Sequence, residues 1–131
     1  MSWKYVQDTG CVYDPSGALV GQGYAGHAEG KNNPAMQWVR MIGPLPCGWY
    51  TIGHAQDGTH LGPCAMPLTP DPANDMRGRG DFWWHADFLD VAKRGTASLG
   101  CIVTALDLRQ VVNHSHDRRL EVVSTERKGV A

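Results

Sequence analysis

The 131-residue sequence has no long apolar run and no excess of charge of either sign. Residues 1–8 lack the apolar stretch of a signal peptide, and no later segment is long and apolar enough to cross a bilayer. Its 12 basic and 13 acidic residues leave a formal net charge of -1, whereas nucleic-acid-binding domains usually carry a basic excess. We therefore expect no membrane insertion and no nucleic-acid partner.

The sequence is also poor in cysteine, with only Cys11, Cys47, Cys64 and Cys101. Four cysteines are too few to be the main scaffold of a domain of this length. No internal repeat and no low-complexity segment divides the chain, and its length suffices for a core that folds without help. We expect a single monomeric domain over residues 1–131. Whether Cys47 and Cys64 form a disulfide stays open at this point.

Glycine and proline, in contrast, are plentiful, with 16 and 8 residues. They recur at short intervals as turn residues, which favours many short strands over long helices. The segment Asp14–Gly17 combines a proline and a glycine and predicts the turn of a hairpin. Later segments rich in apolar, β-branched or aromatic residues predict further strands at 49–52, 82–85 and 120–123.

The remaining segments predict one clear helix and several loops. Residues 104–107 resemble a capping box and predict the start of a helix that continues through Val112, while residues 89–93 fit one or two helical turns. The proline-rich stretch from Pro63 to Pro72 is predicted to lie outside any sheet, because proline cannot donate to a ladder. The fold is expected to be mainly β, a small β-sandwich or open barrel with one or two short helices.

His85 and Cys101 form the most informative pair in the sequence. A cysteine attacks a carbonyl carbon as the thiolate, and an imidazole can take its proton and later return it to a leaving amine. Gly100 lets the backbone approach a substrate, so the amides of Gly100 and Cys101 are expected to face a developing oxyanion. Ser98 is expected to orient this loop by hydrogen bonding. The pattern predicts a cysteine nucleophile with a histidine base.

These residues resemble the motif of the L,D-transpeptidase catalytic domain, in which a histidine is followed by Ser/Thr-His-Gly-Cys. The chain is most similar to the small branch delivered as toxins by type VI secretion, through the segments at 23–26, 31–37 and 43–50. The resemblance implies that Cys101 is acylated, that His85 is the base and that the carbonyl of Ala86 orients its ring. Leu99 departs from the motif where the family has histidine, and Val103 where many relatives have arginine.

The family resemblance also implies a substrate and a setting. The substrate would be the tetrapeptide stem of peptidoglycan, cleaved at its terminal L,D-peptide bond through a thioester on Cys101. Water as acceptor gives L,D-carboxypeptidase activity, a D-amino acid gives exchange and a second stem gives a crosslink, with no metal or cofactor in any of these routes. We expect secretion without a signal peptide into the periplasm of a target bacterium, and a cognate immunity protein as a possible partner.

Four residues are assigned to substrate binding. Because Val103 stands where many relatives have arginine, the carboxylate of the stem is expected to be held elsewhere, by Arg79 or Arg77. Trp83 and Trp84 alternate faces of one strand, so one is expected in the core and the other at the wall of the cleft, and we assign Trp84 to the cleft. Tyr24 and Asn33, in the segments shared with the family, complete the assignment.

Three alternatives stay open from the sequence. Cys47, His54, His60 and Cys64 are all permissible zinc ligands and would form a structural metal site. A papain-like cell-wall amidase would instead place its cysteine before its histidine, as Cys11 or Cys47 precedes His85. The third alternative is a binding module without turnover, in which the loop over residues 21–33 holds glycan or peptide.

Overall fold

The computed structural model describes residues 1–126, and the last five residues of the predicted domain lie outside them. The described residues form eight strands and one α-helix. The strands are β1 Trp3–Val6, β2 Cys11–Tyr13, β3 Leu19–Gln22, β4 Gly48–Ile52, β5 Met66–Pro70, β6 Phe82–His85, β7 Ile102–Val103 and β8 Arg119–Val123. The helix α1 spans Leu106–His114, and 3₁₀ turns span Ala28–Gly30, Pro34–Met36 and Val91–Lys93. The predicted mainly β fold is confirmed.

All eight strands belong to one curled sheet with the order β3-β2-β1-β8-β4-β5-β6-β7. Two neighbouring pairs, β1 with β8 and β6 with β7, are parallel, and the other pairs are antiparallel. The two edges of the sheet approach each other just after β3, where Tyr24 exchanges backbone hydrogen bonds of 3.0 and 2.8 Å with Val103 of β7. The sheet is therefore an open barrel with one bridge across its gap.

The core fills the concave side of the sheet, as alternation along the strands predicts. Tyr50 and Ile52 of β4 and Leu120 and Val122 of β8 point inward, and each is at most 2% exposed. The helix α1 covers one end of this core with Leu108 and Val112, four residues apart on one face. Gly21 on β3 permits this contact, because a Cβ there would lie 2.6 Å from Leu108 Cδ2.

The prediction that residues 63–72 lie outside any sheet is wrong, because β5 lies between β4 and β6. Pro67 accepts a hydrogen bond from the Gly53 amide at 2.8 Å but has no N–H to return to the Gly53 carbonyl. That carbonyl accepts instead from Arg118 Nη2 at 2.7 Å. A side chain thus supplies the donor that proline lacks, which is why an inner strand tolerates Pro67. Pro70 lies at the last position of the strand.

The C-terminal helix is confirmed, but the predicted capping box does not form. The N-cap residue is Ala105, and it makes no side-chain capping bond. Thr104 accepts a hydrogen bond from the indole of Trp84 at 2.8 Å, and Asp107 accepts from the adjacent amide of Leu108. The threonine is therefore committed to the core of the barrel.

Among residues 1–126 no helix has the length and apolar character needed to span a membrane.

Candidate active site

His85 and Cys101 line the same cavity, which has a volume of about 670 Å³. The parallel pairing of β6 with β7 places them on one side of the sheet, since Trp84 is opposite Ile102 and His85 is opposite Val103. Cys101 directly precedes β7, and its Sγ accepts a hydrogen bond of 3.3 Å from the Trp83 amide. The cavity is further lined by Arg40, Met41, His60, Leu61, Arg79, Gly80, Asp81, Phe82, Trp83, Ala97 and Leu99.

The His85 ring is held in one orientation by the backbone. Its Nδ1 lies 2.7 Å from the carbonyl oxygen of Ala86, the contact that the family resemblance implies. A carbonyl only accepts, so Nδ1 carries the proton and Nε2 of the neutral ring is left as a proton acceptor. Burial lowers the pKa of His85, since the side chain is only 4% exposed, and the positive charge of Arg109 acts in the same direction. The ring is therefore neutral near pH 7.

Cys101 is held as a neutral thiol at rest. Burial raises its pKa and the carboxylate of Asp81 adds to this effect, while the Trp83 amide and the Arg79 guanidinium oppose it. Both members of the pair are thus poised in their uncharged forms. Two neutral groups of this kind suit proton transfer that accompanies nucleophilic attack, rather than a pre-formed ion pair.

The loop before Cys101 is fixed by the Ser98 hydroxyl, as expected from the sequence. Ser98 is fully buried, and its Oγ donates to the Cys101 carbonyl at 2.6 Å. The same Oγ accepts from the amides of Gly26 at 2.9 Å and Gly100 at 3.0 Å. The prediction that the Gly100 amide faces an oxyanion is wrong, because that N–H is taken by Ser98. Of the two predicted donors, only the Cys101 amide remains a candidate.

Gly100 has a different role, which its missing side chain explains. Its φ of +141° and its surroundings both require glycine, since a Cβ there would lie 2.7 Å from Arg79 Nη2 and 2.7 Å from Phe82. Its carbonyl accepts from the Leu45 amide at 2.9 Å. Gly100 therefore lets the loop that carries Cys101 pack directly against the Arg79 guanidinium.

Arg79 lines the cavity, but its guanidinium is already committed to the protein. Nη1 donates to the carbonyls of Gln37 and Pro44 at 2.7 and 2.8 Å, and Nη2 donates to those of Gly43 and Leu99 at 3.1 and 3.2 Å. The residue is 7% exposed. These bonds use all four N–H groups of the two terminal nitrogens. The assignment of Arg79 as carboxylate ligand is therefore corrected: its guanidinium joins neighbouring main-chain segments.

The assignment of Trp84 to the cleft is also corrected. Trp84 is fully buried in the core and donates to Thr104, whereas Trp83 is half-buried and lines the cavity. The sequence correctly predicts that the two indoles face opposite sides, but pattern alone does not say which side is the core. Asp81 fixes the Trp83 ring by accepting from its indole nitrogen at 3.3 Å.

Tyr24 and Asn33 lie outside the cavity lining. The Tyr24 hydroxyl donates to Asp87 at 2.9 Å and accepts from the Ala97 amide at 2.9 Å, so it ties down the loop that follows His85. Asn33 caps the 3₁₀ turn at Pro34–Met36 by accepting from the Ala35 amide at 3.1 Å. The structure therefore does not bring either residue to the cavity, and the contacts that each makes are structural. Arg77 likewise lies outside the lining, stacked over Trp38 at 4.2 Å.

The sequence interpretation missed three polar residues of the cavity, namely Arg40, His60 and Asp81. The sequence suggests His60 only as a zinc ligand, although it lines the same cavity as His85. Asp81 lies two residues before Trp83, and its φ of +60° is a left-handed backbone conformation. No motif in the sequence singles out Arg40. Its place in the cavity depends on the fold of the loop before β4.

Two of the alternatives that the sequence left open, the metal site and the papain-like amidase, find no support in these residues. Within residues 1–126 no group of three or more histidine, cysteine or acidic side chains is arranged to hold a metal ion. All four cysteines are free thiols, and Cys47 donates to Gln7 at 3.3 Å. Neither Cys11 nor Cys47 lines the cavity that contains His85, so the papain-like order is not assembled.

Comparison with known proteins places the chain in a family. The model of the Tlde1 domain matches residues 20–126, a span that contains the cavity, its histidine and its cysteine. No curated protein and no solved structure matches the chain. The match covers well over half of the sequence, and the chain therefore belongs to the Tlde1 domain family of type VI secretion effectors, whose domains are similar to L,D-transpeptidases.

Proposed function

We propose that this protein is a cysteine-dependent acyltransferase that attacks the tetrapeptide stems of bacterial peptidoglycan. It cleaves the terminal L,D-peptide bond as an L,D-carboxypeptidase, exchanges the terminal residue for a D-amino acid, or does both. The observation that carries the proposal is the arrangement of His85 and Cys101, because a ring anchored through Nδ1 to Ala86 shares one cavity with the thiol. Membership of an L,D-transpeptidase-like effector family supports the choice of substrate.

The first half of the reaction forms a thioester. His85 Nε2 accepts the thiol proton as Cys101 Sγ attacks the carbonyl carbon of the terminal peptide bond. The tetrahedral intermediate carries its negative charge on the former carbonyl oxygen, for which the Cys101 amide is the candidate donor. Collapse breaks the carbon–nitrogen bond, and His85 returns the proton to the departing amine, which leaves as D-alanine.

The second half transfers the acyl group to an acceptor. Water or the amine of a D-amino acid attacks the thioester carbonyl, and the neutral His85 ring accepts the proton that the nucleophile loses. Sγ leaves and recovers its proton from the ring, which restores both neutral groups. A half-buried cleft limits the entry of water, so the balance between hydrolysis and exchange depends on how well an amine competes for the cavity.

The biological setting follows from the family. Type VI secretion effectors typically have cognate immunity proteins, and we expect one for this protein. We also propose delivery into the periplasm of a target bacterium, because peptidoglycan stems are accessible there. The protein is expected to act as a monomer.

The test is a digestion of purified muropeptides followed by mass spectrometry. Wild-type protein should remove or exchange the terminal residue of a tetrapeptide stem, with a pentapeptide stem as a poor substrate. Cys101→Ala and His85→Ala should abolish turnover, and an acyl adduct should be found on Cys101. Cys47→Ala is the matched cysteine control and should keep activity. Turnover by Cys101→Ala with loss in Cys47→Ala, or cleavage only between glycan and L-alanine, would refute the proposal.

A further inference from the structure

We propose that Arg40 is the residue that binds the C-terminal carboxylate of the stem, and so restricts the enzyme to the last peptide bond. The inference rests on the proposed function and names the specificity residue of the same site. Arg40 and Arg79 are the arginines of the cavity lining. The terminal N–H groups of Arg79 already donate to four main-chain carbonyls, so we assign the carboxylate to the guanidinium of Arg40.

Arg40 has the donors that a carboxylate needs. Within the described part of the chain, its exposed side chain makes one hydrogen bond, from Nη2 to the carbonyl of Gly78 at 3.0 Å. Among residues 1–126 no carboxylate lies within ion-pair distance of it. A guanidinium presents five N–H donors in a planar fork that suits a carboxylate. The bond to Gly78 therefore tethers the group while leaving most of its donors available to a ligand.

Arg40 shares the cavity with Cys101, and Arg79 lies close to both. Arg79 Nη2 packs against Gly100, the residue that precedes Cys101. The charge of Arg40 acts in turn on Arg79 and contributes to the lowering of the Arg79 pKa. Arg40, Arg79 and Cys101 all line the same cavity. A terminal carboxylate lies one residue beyond the scissile carbonyl, on the leaving-group side of the bond.

The charges around the cavity favour an anion at this wall. Asp81 is the carboxylate of the lining, and it is engaged with the indole of Trp83. Neither Arg40 nor Arg79 has an acidic partner among the described residues. Two cations without a counterion attract a substrate that ends in a free carboxylate, and a stem extended by another residue would carry that carboxylate away from Arg40.

The experiment compares two synthetic tetrapeptide stems that end in D-alanine, one with a free C-terminal carboxylate and one with a primary amide. Wild-type protein should prefer the free acid. Arg40→Gln should lower kcat/KM for the acid by roughly 10- to 100-fold, mainly through KM, and should change the value for the amide by less than about 2-fold. Arg40→Lys should keep part of the preference, because a point charge replaces the planar fork.

The matched control is Arg77→Gln, which removes the positive charge of an exposed arginine that does not line the cavity. It should leave the preference for the free acid unchanged. An equal preference in wild type and Arg40→Gln, with Cys101 still acylated by both stems, would overturn the role of Arg40 and leave the proposed function intact. Failure of wild-type Cys101 to be acylated by either stem would overturn both.

Discussion

Replacement of Ser98 by alanine is the sharpest test of how the nucleophile is held. The Ser98 hydroxyl joins two parts of the chain, because it contacts the amide of Gly26 after β3 and both Gly100 and Cys101 before β7. The site is fully buried, so no solvent can replace the missing oxygen without entering the core. Alanine fits the space and removes only the hydroxyl.

The cost of the substitution can be estimated from the groups that it leaves without partners. Two backbone N–H groups lose their acceptor, and the Cys101 carbonyl loses its donor. Each unsatisfied buried polar group costs about 1 to 3 kcal/mol, and small shifts of the loop recover part of the sum. We therefore expect Ser98→Ala to lower the free energy of unfolding by about 2 to 4 kcal/mol.

The measurement is urea unfolding followed by tryptophan fluorescence, combined with kinetics on the tetrapeptide stem at a temperature where the variant is folded. Ser16→Ala is the matched control, since its exposed hydroxyl makes one bond of 2.6 Å to Asp14. The control should lose less than about 0.5 kcal/mol. A loss for Ser98→Ala as small as for the control, or full kcat in the folded variant, would refute the view that this hydroxyl positions Cys101.

Three further outcomes are expected. First, kcat/KM should rise with pH through a midpoint below about 6.5, because burial lowers the pKa of His85 and the base works only when neutral. Site-resolved alkylation of Cys101 should keep increasing beyond about pH 8.5, because burial raises the pKa of the thiol. A labelling plateau below about pH 7 would indicate a pre-formed thiolate. Second, Trp84→Phe should lower the free energy of unfolding by about 1 to 3 kcal/mol, because packing and the hydrogen bond to Thr104 are lost. KM should stay unchanged, and a raised KM at full stability would contradict the place of Trp84 in the core. Third, Arg118→Ala should cost about 2 to 4 kcal/mol in a denaturant titration, because several carbonyls lose a charged donor, and an unchanged midpoint would contradict that role.

The parts of the fold that the sequence predicts are those set by local pattern. The turn at Asp14–Gly17 and the strands around 49–52, 82–85 and 120–123 form as expected, because turn residues and alternation act over a few positions. The first strand, Trp3–Val6, was not predicted, although Trp3 and Tyr5 alternate inward. It pairs antiparallel with the neighbouring β2 and parallel with β8, a strand near the other end of the described chain, and no local signal encodes the second partner.

In the candidate site, too, the sequence predicts what a local motif encodes and misses what depends on distant residues. The sequence places His85, Ala86, Ser98 and Cys101 together through a motif, and the structure brings His85 and Cys101 into one cavity. The assignments that failed concern side chains whose role depends on distant backbone. Tyr24, for example, is committed to Asp87, a residue far along the chain, and that commitment cannot be read from the segment around it.

Arginine is the residue type for which this distinction matters most here. Arg79, Arg109 and Arg118 each donate to several main-chain carbonyls and to no carboxylate among the described residues. A barrel with many glycine and proline turns leaves carbonyls without ladder partners, and a guanidinium can satisfy several of them at once. An arginine near a catalytic motif is therefore weak evidence for a substrate anion until its donors have been counted. By that criterion Arg79 belongs to the scaffold, whereas Arg40 keeps most of its donors unused at the cavity, which is why we propose Arg40 as the carboxylate ligand.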